Sequence, residues 1–334
     1  MNDTVSELVT TIRENGAIAA KELFTGVDDA MWLALFDRGR ELADTNFGKK
    51  LKVYVPGKKF PAISVTGAAC DLGCKHCNKQ YLRGMVPAET PEKLESALRS
   101  VEASGGTGAL ISGGSTRDGI VEMHAFHAVL GQIKDGSSLA LNVHTGLIDE
   151  ATAVELHATG IDTISLDLVG DDATIQEIYG LHKAVDDYKR VLAGLMNAGF
   201  TNDQVIPHIC IGLHGGEIKG EYNVLDYINA LDPRLIVFIV IIPPKTPASP
   251  DSIDFKQVQS AEIARLVLTA RLLYPRAEIS LGCMRPGGRI RNDYDIAAFK
   301  AGITRIALPT QQLLKFARER GYEIELIESC CAIG

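Results

Sequence analysis

Three cysteines lie within eight residues, in the stretch CDLGCKHC that runs from Cys70 to Cys77. The next cysteine along the chain is Cys210, so the sequence places no fourth thiol nearby. A four-iron iron–sulfur cluster normally takes four thiolates, and three leave one iron free to bind another molecule. The spacing therefore predicts a [4Fe–4S] cluster with one open iron, bound by Cys70, Cys74 and Cys77.

Two other kinds of metal site share part of this pattern. Cys74 and Cys77 form a C-x2-C pair, which is half of a typical zinc site, but no second C-x2-C pair occurs in the chain. The bacterial ferredoxin pattern C-x2-C-x2-C-x3-C is also absent. Zinc and a ferredoxin-type electron carrier are therefore the alternatives to the three-thiolate cluster.

The composition is that of an ordinary soluble globular protein, with 334 residues of which 46% are hydrophobic and 23% charged. The net charge of −8, with interspersed charges, argues against nucleic acid as a ligand. The longest apolar run, residues 235–242, is far shorter than the ~20 residues of a membrane span, and the acidic start of the chain does not resemble a signal peptide. We expect a cytoplasmic protein without a membrane or nucleic-acid partner, whose seven cysteines are metal ligands or catalysts rather than disulfides.

Most of the chain alternates short β-branched runs with amphipathic helical segments. Strands are predicted at residues 62–68, 108–114, 139–146, 162–170, 205–213, 235–243, 278–284 and 305–310. Because helical crossovers make successive strands parallel, eight such units favour an α/β fold of the (β/α)8 TIM-barrel type. A barrel with fewer strands, or an open doubly wound sheet, is the alternative.

Three regions are expected from this pattern. Residues 1–50 form an N-terminal helical extension, residues 51–321 the barrel, and residues 322–334 a cysteine-bearing tail over the barrel mouth. Active sites of such barrels lie at the carboxyl ends of the strands, and those ends carry the cysteines and most of the unusual polar residues. Alternation in the fifth predicted strand turns His208, Cys210 and Gly212 toward the interior, where Cys210 is equally well explained as a core filler.

The C-x3-C-x2-C motif, with His76 before its last cysteine, resembles the signature of radical S-adenosylmethionine (SAM) enzymes. The resemblance implies that the open iron chelates SAM, and that a 5′-deoxyadenosyl radical from SAM removes hydrogen from an unactivated carbon. Where the family has a Gly-Gly-Glu segment, this chain has ISGGS at residues 111–115. The implied SAM-binding positions are His76, Gly113, Gly114, Ser115, Asn142, Asp167, His208 and Gly212.

Three further cysteines lie late in the chain. Cys283 follows the seventh predicted strand in GCMRPGGR, and Cys330 and Cys331 are near the end in ESCCAIG. A tail that crosses the barrel mouth would bring them together. Our hypothesis is an auxiliary iron–sulfur cluster held by Cys283, Cys330 and Cys331, and the alternative is a frayed tail with reactive thiols.

Several segments together resemble the biotin synthase-like branch of this superfamily, and most of all a subunit of the two-component lipoyl synthases. They are KVYVPGKKFPAISVTGAAC, SLDLVGD, VIPHICIGLHGGE, IIPPKTP, GCMRPGG and the terminal CC. The resemblance implies sulfur insertion into an octanoyl chain on a lipoyl carrier protein, with the auxiliary cluster as sulfur donor. It implies as partners a homologous second subunit, the octanoylated carrier and an electron donor such as ferredoxin or flavodoxin.

The substrate-binding candidates in this interpretation are Arg285, beside Cys283, and His144, at the end of the third predicted strand. Two other functions are alternatives. One is biotin synthase-like or other radical C–S or methyl chemistry on a small molecule. The other is a non-catalytic iron–sulfur or zinc protein that acts as a scaffold.

Overall fold

A curled sheet of parallel strands forms the centre of the molecule. The computed structural model describes residues 2–244 and 253–333. The strands of these ranges are β1 (Lys50–Tyr54), β2 (Ala62–Ser64), β3 (Val86–Pro87), β4 (Gly108–Ser112), β5 (Ala140–His144), β6 (Thr163–Leu168), β7 (Val205–Ile211), β8 (Leu235–Val240), β9 (Glu278–Leu281), β10 (Arg305–Ala307) and β11 (Glu323–Ile327). They are hydrogen-bonded side by side in the order β11-β1-β10-β9-β8-β7-β6-β5-β4-β2-β3.

Helices surround this sheet and supply the crossovers between its strands. They are α1 (Asn2–Leu23), α2 (Asp29–Phe47), α3 (Pro91–Ala103), α4 (His127–Gly136), α5 (Glu150–His157), α6 (Asp172–Thr174), α7 (Val185–Asn197), α8 (Glu221–Tyr227), α9 (Ser260–Leu273), α10 (Arg289–Ala301) and α11 (Gln311–Arg318). The architecture is an α/β half-barrel of eleven parallel strands with helices around it, related to the TIM-type barrel, which confirms the predicted fold class.

All eight predicted strands are present, as β2 and β4 to β10, each ending at or before its predicted end. Three strands were not predicted, namely β1, the two-residue strand β3, and β11, which lies in the predicted tail. In the structure β1 and β11 pair with each other over Lys50↔Glu323 to Tyr54↔Ile327 and extend the sheet beyond β10. Lys50 and Lys52 of β1 lie opposite Glu323 and Glu325 of β11. Lys50 Nζ lies 3.6 Å from the Glu323 carboxylate and 3.5 Å from the Glu325 carboxylate.

The register of the sheet brings the ends of four neighbouring strands to one edge. Ser64 of β2 pairs with Ser112 of β4, Ile111 of β4 pairs with Val143 of β5, and His144 of β5 pairs with Ser165 of β6. Because the strands are parallel, the loops that follow them leave the sheet on the same side. This side is therefore where the cysteine loop and the later polar residues can meet.

The tail after β11 turns into the concave side of the sheet. The Glu328 carbonyl accepts a hydrogen bond from Thr107 Oγ1 at 2.8 Å, and Arg305 Nη1 donates to the carbonyls of Cys331 at 3.2 Å and Ile333 at 2.6 Å. Cys331 and Ala332 are buried among apolar residues that include Ile206 of β7 and Leu235 of β8. The structure thus places the tail deeper than the predicted position over the mouth, where an apolar lining and the Arg305 guanidinium bind it.

The longest apolar run of the sequence is the buried strand β8. Helices within residues 2–244 and 253–333 all fall short of the length and apolarity needed to cross a membrane. Residues 245–247 of the IIPPKTP segment and the final residue of the predicted tail lie outside the described ranges.

The predicted N-terminal helices pack against the barrel helices. α1 contacts α8 and α9, and α2 contacts α9 and α10. At Gly16 of α1 the backbone leaves the helical region, with φ 85°, and the Asp226 carboxylate accepts hydrogen bonds from the N–H groups of Ala17 and Ile18 that follow. This contact caps the second half of α1 and attaches it to α8.

The close packing of α2 predicts opposite effects of two Gly→Ala changes. A Cβ at Gly39 would lie 2.6 Å from Leu268 Cδ1 and 2.9 Å from the Ala301 carbonyl oxygen, whereas a Cβ at Gly131 of α4 would meet nothing within 4 Å. Gly39→Ala should destabilise the protein by about 1–3 kcal/mol because of overpacking. Gly131→Ala should stabilise it by up to about 1 kcal/mol, since alanine is the better helix former. Urea unfolding of both variants measures this, and equal signs would contradict it.

Candidate active site

The three motif cysteines lie on the loop after β2 and line a cavity of about 280 Å³. All three are half-buried free thiols. The loop turns back at the motif, where the N–H groups of Cys77 and Asn78 donate to the Cys74 carbonyl at 3.1 and 2.9 Å. Lys75 N donates to the Ile178 carbonyl at 2.8 Å, which attaches the loop to the segment after β6.

The backbone after β4 packs directly against Cys70. Gly114 N donates to Thr66 Oγ1 at 2.6 Å, and Ser115 N donates to Cys70 Sγ at 3.3 Å. A Cβ at Gly114 would lie 1.9 Å from the Ala69 carbonyl oxygen and 2.5 Å from Cys70 Cβ. Only glycine fits at this position, and the ISGGS segment thereby positions the first cysteine as well as lining the cavity.

The spacing of the three cysteine sulfurs distinguishes a site for a single zinc ion from a site for an iron–sulfur cluster. Four-coordinate zinc holds thiolates at about 2.3 Å, which places two sulfurs roughly 3.8 Å apart. In the described part of the chain, His124, His127 and Glu155 are the one group of three His, Cys, Asp or Glu ligand atoms within 4.8 Å of one another. The sulfur atoms of the three cysteines therefore do not all lie within 4.8 Å of one another, as the ligands of a single zinc ion would.

Burial keeps the Cys74 and Cys77 thiols neutral without a metal. It raises the pKa of Cys74 to about 12, with smaller contributions from Cys77 and Cys70, and it also raises the pKa of Cys77. A bound metal reverses this balance, because a ligating thiol is deprotonated by the cation. The three half-buried thiols are thus neighbouring donors that a metal cluster would bind as thiolates.

His76 adds a polar atom without a partner to the cavity. Its ring lies edge-on to Tyr179 at 5.0 Å, and its Nδ1 is buried without a hydrogen bond in the structure. Burial lowers the pKa of His76 to about 4, so the imidazole is neutral at physiological pH. A neutral ring nitrogen of this kind would be satisfied by a polar ligand atom in the cavity.

The ends of β5 and β6 place polar groups on the opposite wall. Ser165, Asp167 and His144 line the cavity, and His144 Nδ1 lies 4.0 Å from Asp167 Oδ2. Burial lowers the pKa of His144 to about 4, although the Asp167 carboxylate opposes the shift. The wall therefore combines a neutral imidazole with an exposed carboxylate, a pair able to accept and donate hydrogen bonds to a polar ligand.

Three other predicted SAM positions lie outside this cavity. Asn142 is buried, its Oδ1 accepts hydrogen bonds from Ser165 Oγ at 2.9 Å and Thr163 Oγ1 at 3.1 Å, and its Nδ2 lies 3.9 Å from Cys330 Sγ. His208 is also buried, with Nδ1 3.1 Å from the Ile206 carbonyl oxygen. Gly212, with φ +75°, donates its N–H to the Glu221 carboxylate at 2.7 Å.

The late cysteines approach one another inside the half-barrel. Desolvation raises the pKa of Cys283 to about 11, and the nearby Cys331 adds to the shift even though Cys283 is accessible to solvent. A hydrogen bond from Cys331 lowers the pKa of Cys330. Asn142 connects this group to β5 through Cys330. None of the three described cysteines lines the cavity of the motif cysteines.

Arg285 is a buried residue that connects three segments of the fold. It is 2% exposed, and its guanidinium donates to Asp295 Oδ1 at 2.8 Å and to the carbonyls of Gly282, Ala307 and Leu308. These contacts join the loop after β9 to α10 and to the end of β10. The predicted substrate role is therefore not supported by its placement, because its donors are directed at the protein itself.

The cavity also has aromatic residues that were not predicted from the sequence. Tyr81, Tyr179 and Tyr188 line it together with Leu181. Tyr179 ends a π-helical turn, Ile175–Tyr179, and Gly180 follows with φ +71°. Single π-helical turns often occur at functional sites. The only local feature that marks this one in the sequence is Tyr179 followed by Gly180.

Comparison with known proteins agrees with this site. Residues 64–227 match the family model described as the Radical SAM superfamily. The matched segment is about half of the chain and includes the three cysteines, the glycine segment and Asp167, so this part of the chain is similar to the radical SAM superfamily. A search of curated protein sequences found no match.

Solved structures share the fold at low sequence identity. HydG, a maturase of the [FeFe]-hydrogenase, aligns with a TM-score of 0.71 and 16% identity, covering 97% of this chain and 76% of HydG. HydG from Carboxydothermus hydrogenoformans gives 0.69 and 12%, covering 97% of this chain and 79% of that one. Methylornithine synthase (PylB) gives 0.64 and 15%, with 95% and 97% covered.

The packing of Gly114 on Cys70 predicts a loss of cluster binding in Gly114→Ala. The added methyl group displaces the Cys70 loop, so we expect an iron content well below that of the parent after anaerobic reconstitution. Gly73→Ala is the matched control, since it lies inside the motif and its Cβ would meet nothing within 4 Å. Iron analysis and the electron paramagnetic resonance (EPR) signal of the reduced protein measure the effect, and full cluster content in Gly114→Ala would refute it.

The burial of the Arg285–Asp295 pair predicts a large stability effect. Both side chains are 0% exposed. Arg285→Met leaves the Asp295 charge buried without its partner, so the variant should lose about 3–5 kcal/mol of unfolding free energy. Arg38→Met breaks the exposed pair with Glu41 and should cost less than about 1 kcal/mol. Denaturant titration compares the two, and a small effect of Arg285→Met would be evidence against a structural role.

Proposed function

We propose that this protein is a radical SAM enzyme of sulfur insertion, acting as one component of a two-subunit lipoyl synthase on a protein-bound octanoyl chain. The observation that carries the proposal is the presence of two cysteine groups on one half-barrel. The motif cysteines line a cavity together with the glycine segment. The late cysteines lie near one another on the inner side of the curled sheet. Cysteines that bind metal clusters must stay reduced, so both groups require a reducing compartment. The cytoplasmic location expected from the sequence meets this requirement.

Cys70, Cys74 and Cys77 would hold the [4Fe–4S] cluster, and the neighbouring cavity would hold SAM. When bound, this pair supplies a 5′-deoxyadenosyl radical that removes hydrogen from an unactivated carbon. The Ser115 N–H keeps Cys70 Sγ oriented through its hydrogen bond. A backbone donor to a ligating sulfur also adjusts the reduction potential of a cluster.

The cavity wall would position SAM and exclude water. Neutral His144 and the Asp167 carboxylate lie close enough to share a polar ligand such as a ribose. Tyr179 and Tyr188 supply an aromatic wall on the same cavity. Exclusion of water protects a reactive intermediate from side reactions, and apolar side chains around a site provide that exclusion.

Cys283, Cys330 and Cys331 would hold the auxiliary cluster that donates sulfur. Arg305 binds two carbonyls of the tail and is itself paired with Glu278, whose carboxylate also lies 3.0 Å from Lys52. This network holds the tail inside the sheet. Cys283 is exposed to solvent, which suits a group that must meet a substrate.

The proposal includes the partners implied by the lipoyl synthase resemblance. They are a homologous second subunit, an octanoylated lipoyl carrier protein and an electron donor such as ferredoxin or flavodoxin. A chain carried by a second protein reaches the site on a flexible arm, so the open half-barrel is compatible with such a substrate. Small-molecule C–S or methyl chemistry is the competing reaction.

An anaerobic assay tests the proposal. The reconstituted protein, its second subunit, reductant, SAM and an octanoyl-lysine peptide should yield 5′-deoxyadenosine and a thiooctanoyl peptide, read by mass spectrometry. Cys74→Ser should abolish both products. If 5′-deoxyadenosine forms only with a small-molecule acid, sulfur insertion into a carrier-bound chain is wrong. If none forms under any condition, the catalytic reading itself fails.

The auxiliary cluster predicts residual iron in a protein without the first site. In a variant with Cys70, Cys74 and Cys77 all replaced by Ala, we expect iron and sulfide to remain after reconstitution. Adding Cys283→Ala should remove most of it, because one ligand is lost. Adding Cys210→Ala instead is the matched control, since this half-buried thiol of β7 belongs to neither group. No residual iron in the triple variant ends the hypothesis.

A further inference from the structure

Two histidines and a glutamate meet on the helical face of the molecule. His124 lies in the turn before α4, His127 is the first residue of α4, and Glu155 lies on α5. Glu155 Oε2 lies 2.9 Å from His124 Nδ1 and 3.5 Å from His127 Nδ1. None of the three lines the cavity of the motif cysteines, so this cluster is separate from the radical SAM site.

The distances in this cluster are those of ligands around one small ion. Zinc binds imidazole nitrogen at about 2.0–2.1 Å and carboxylate oxygen at about 2.0–2.2 Å, so two ligands at tetrahedral positions lie roughly 3.3 Å apart. The two histidine–glutamate distances lie on either side of that value. A histidine–glutamate hydrogen bond needs only one imidazole nitrogen. Here two imidazole nitrogens are directed at the same carboxylate oxygen, as ligands of a shared ion would be.

The ring of His127 directs one nitrogen at the cluster. Its Nδ1 faces Glu155, whereas its Nε2 is buried on the other side of the ring without a hydrogen-bond partner.

The cluster has access to solvent on one side. His127 is 12% exposed, whereas the side chains of His124 and Glu155 are 78% and 52% exposed. An ion can therefore enter, and water can complete its coordination. Imidazole with a carboxylate favours zinc among the divalent ions that are common in proteins, and magnesium and calcium prefer all-oxygen ligands.

We propose that His124, His127 and Glu155 form an accessory site for a zinc-class divalent ion, with one coordination position open to solvent. The ion would link the start of α4 to α5 and so join two consecutive crossover helices. This site does not depend on the radical SAM function, because it shares no ligand with it.

Zinc binding to the cluster-reconstituted full-length protein tests the site. Isothermal titration under anaerobic conditions should show one additional zinc equivalent, and zinc X-ray absorption should show nitrogen and oxygen neighbours at about 2.0–2.1 Å rather than thiolate sulfur at about 2.3 Å. Zinc should also raise the melting temperature, since the ion binds the folded state. Magnesium at the same concentration should neither bind at this site nor raise the melting temperature.

Two variants and a control identify the ligands. Loss of a partner outside the ligand shell already weakens metal sites by about 10–100-fold, so His124→Ala and the isosteric Glu155→Gln should weaken zinc binding at least that much. His182→Ala removes an exposed histidine outside the cluster and should leave binding unchanged. Equal zinc affinity in Glu155→Gln, or a zinc shell made of sulfur, overturns the proposal. Melting curves without zinc establish that each variant is folded.

Discussion

The contact between Gly114 and Cys70 is the constraint on which the candidate site depends. It joins the loop after β2 to the loop after β4 with no space for a side chain between them. The same segment donates the Ser115 N–H to the cysteine sulfur. Since these two strands are neighbours in register, the sheet itself sets the distance between the first cysteine and the glycine segment. The other walls of the cavity are added by β5 and β6 in the same way.

A second constraint acts at the other end of the half-barrel. The Arg305 guanidinium lies between the Glu278 carboxylate and the carbonyls of the tail, so one buried ion pair connects three strands and the chain terminus. Burying a charge of this kind requires partners for its donors. The tail carbonyls supply them, and the adjacent cysteines are held inside the sheet as a consequence.

The sequence predicted the elements with strong local signals. The β-branched runs of the eight predicted strands alternate with helical segments, and all eight are strands in the structure. It missed the two-residue strand β3, and it missed β1 and β11 because five-residue segments such as KLKVY, rich in charge, carry little hydrophobic signal. Their stability comes from pairing across more than 250 residues of chain, which no local pattern reveals. Asn142 and Arg285, predicted as SAM-binding and substrate-binding positions, form hydrogen bonds within the protein, which a local pattern does not reveal either.

The sequence by itself determined the chemistry of the first site. A trio of cysteines at C-x3-C-x2-C spacing is a local feature, and its donor set follows from residue types alone. The tertiary structure decided which distant residues surround it. His144, Asp167 and Tyr179 reach the cavity only because the parallel register brings separate loops to one edge. It also brought Glu155 of α5 to His124 and His127, since side-chain contacts between helices depend on how the helices pack rather than on their spacing in the chain.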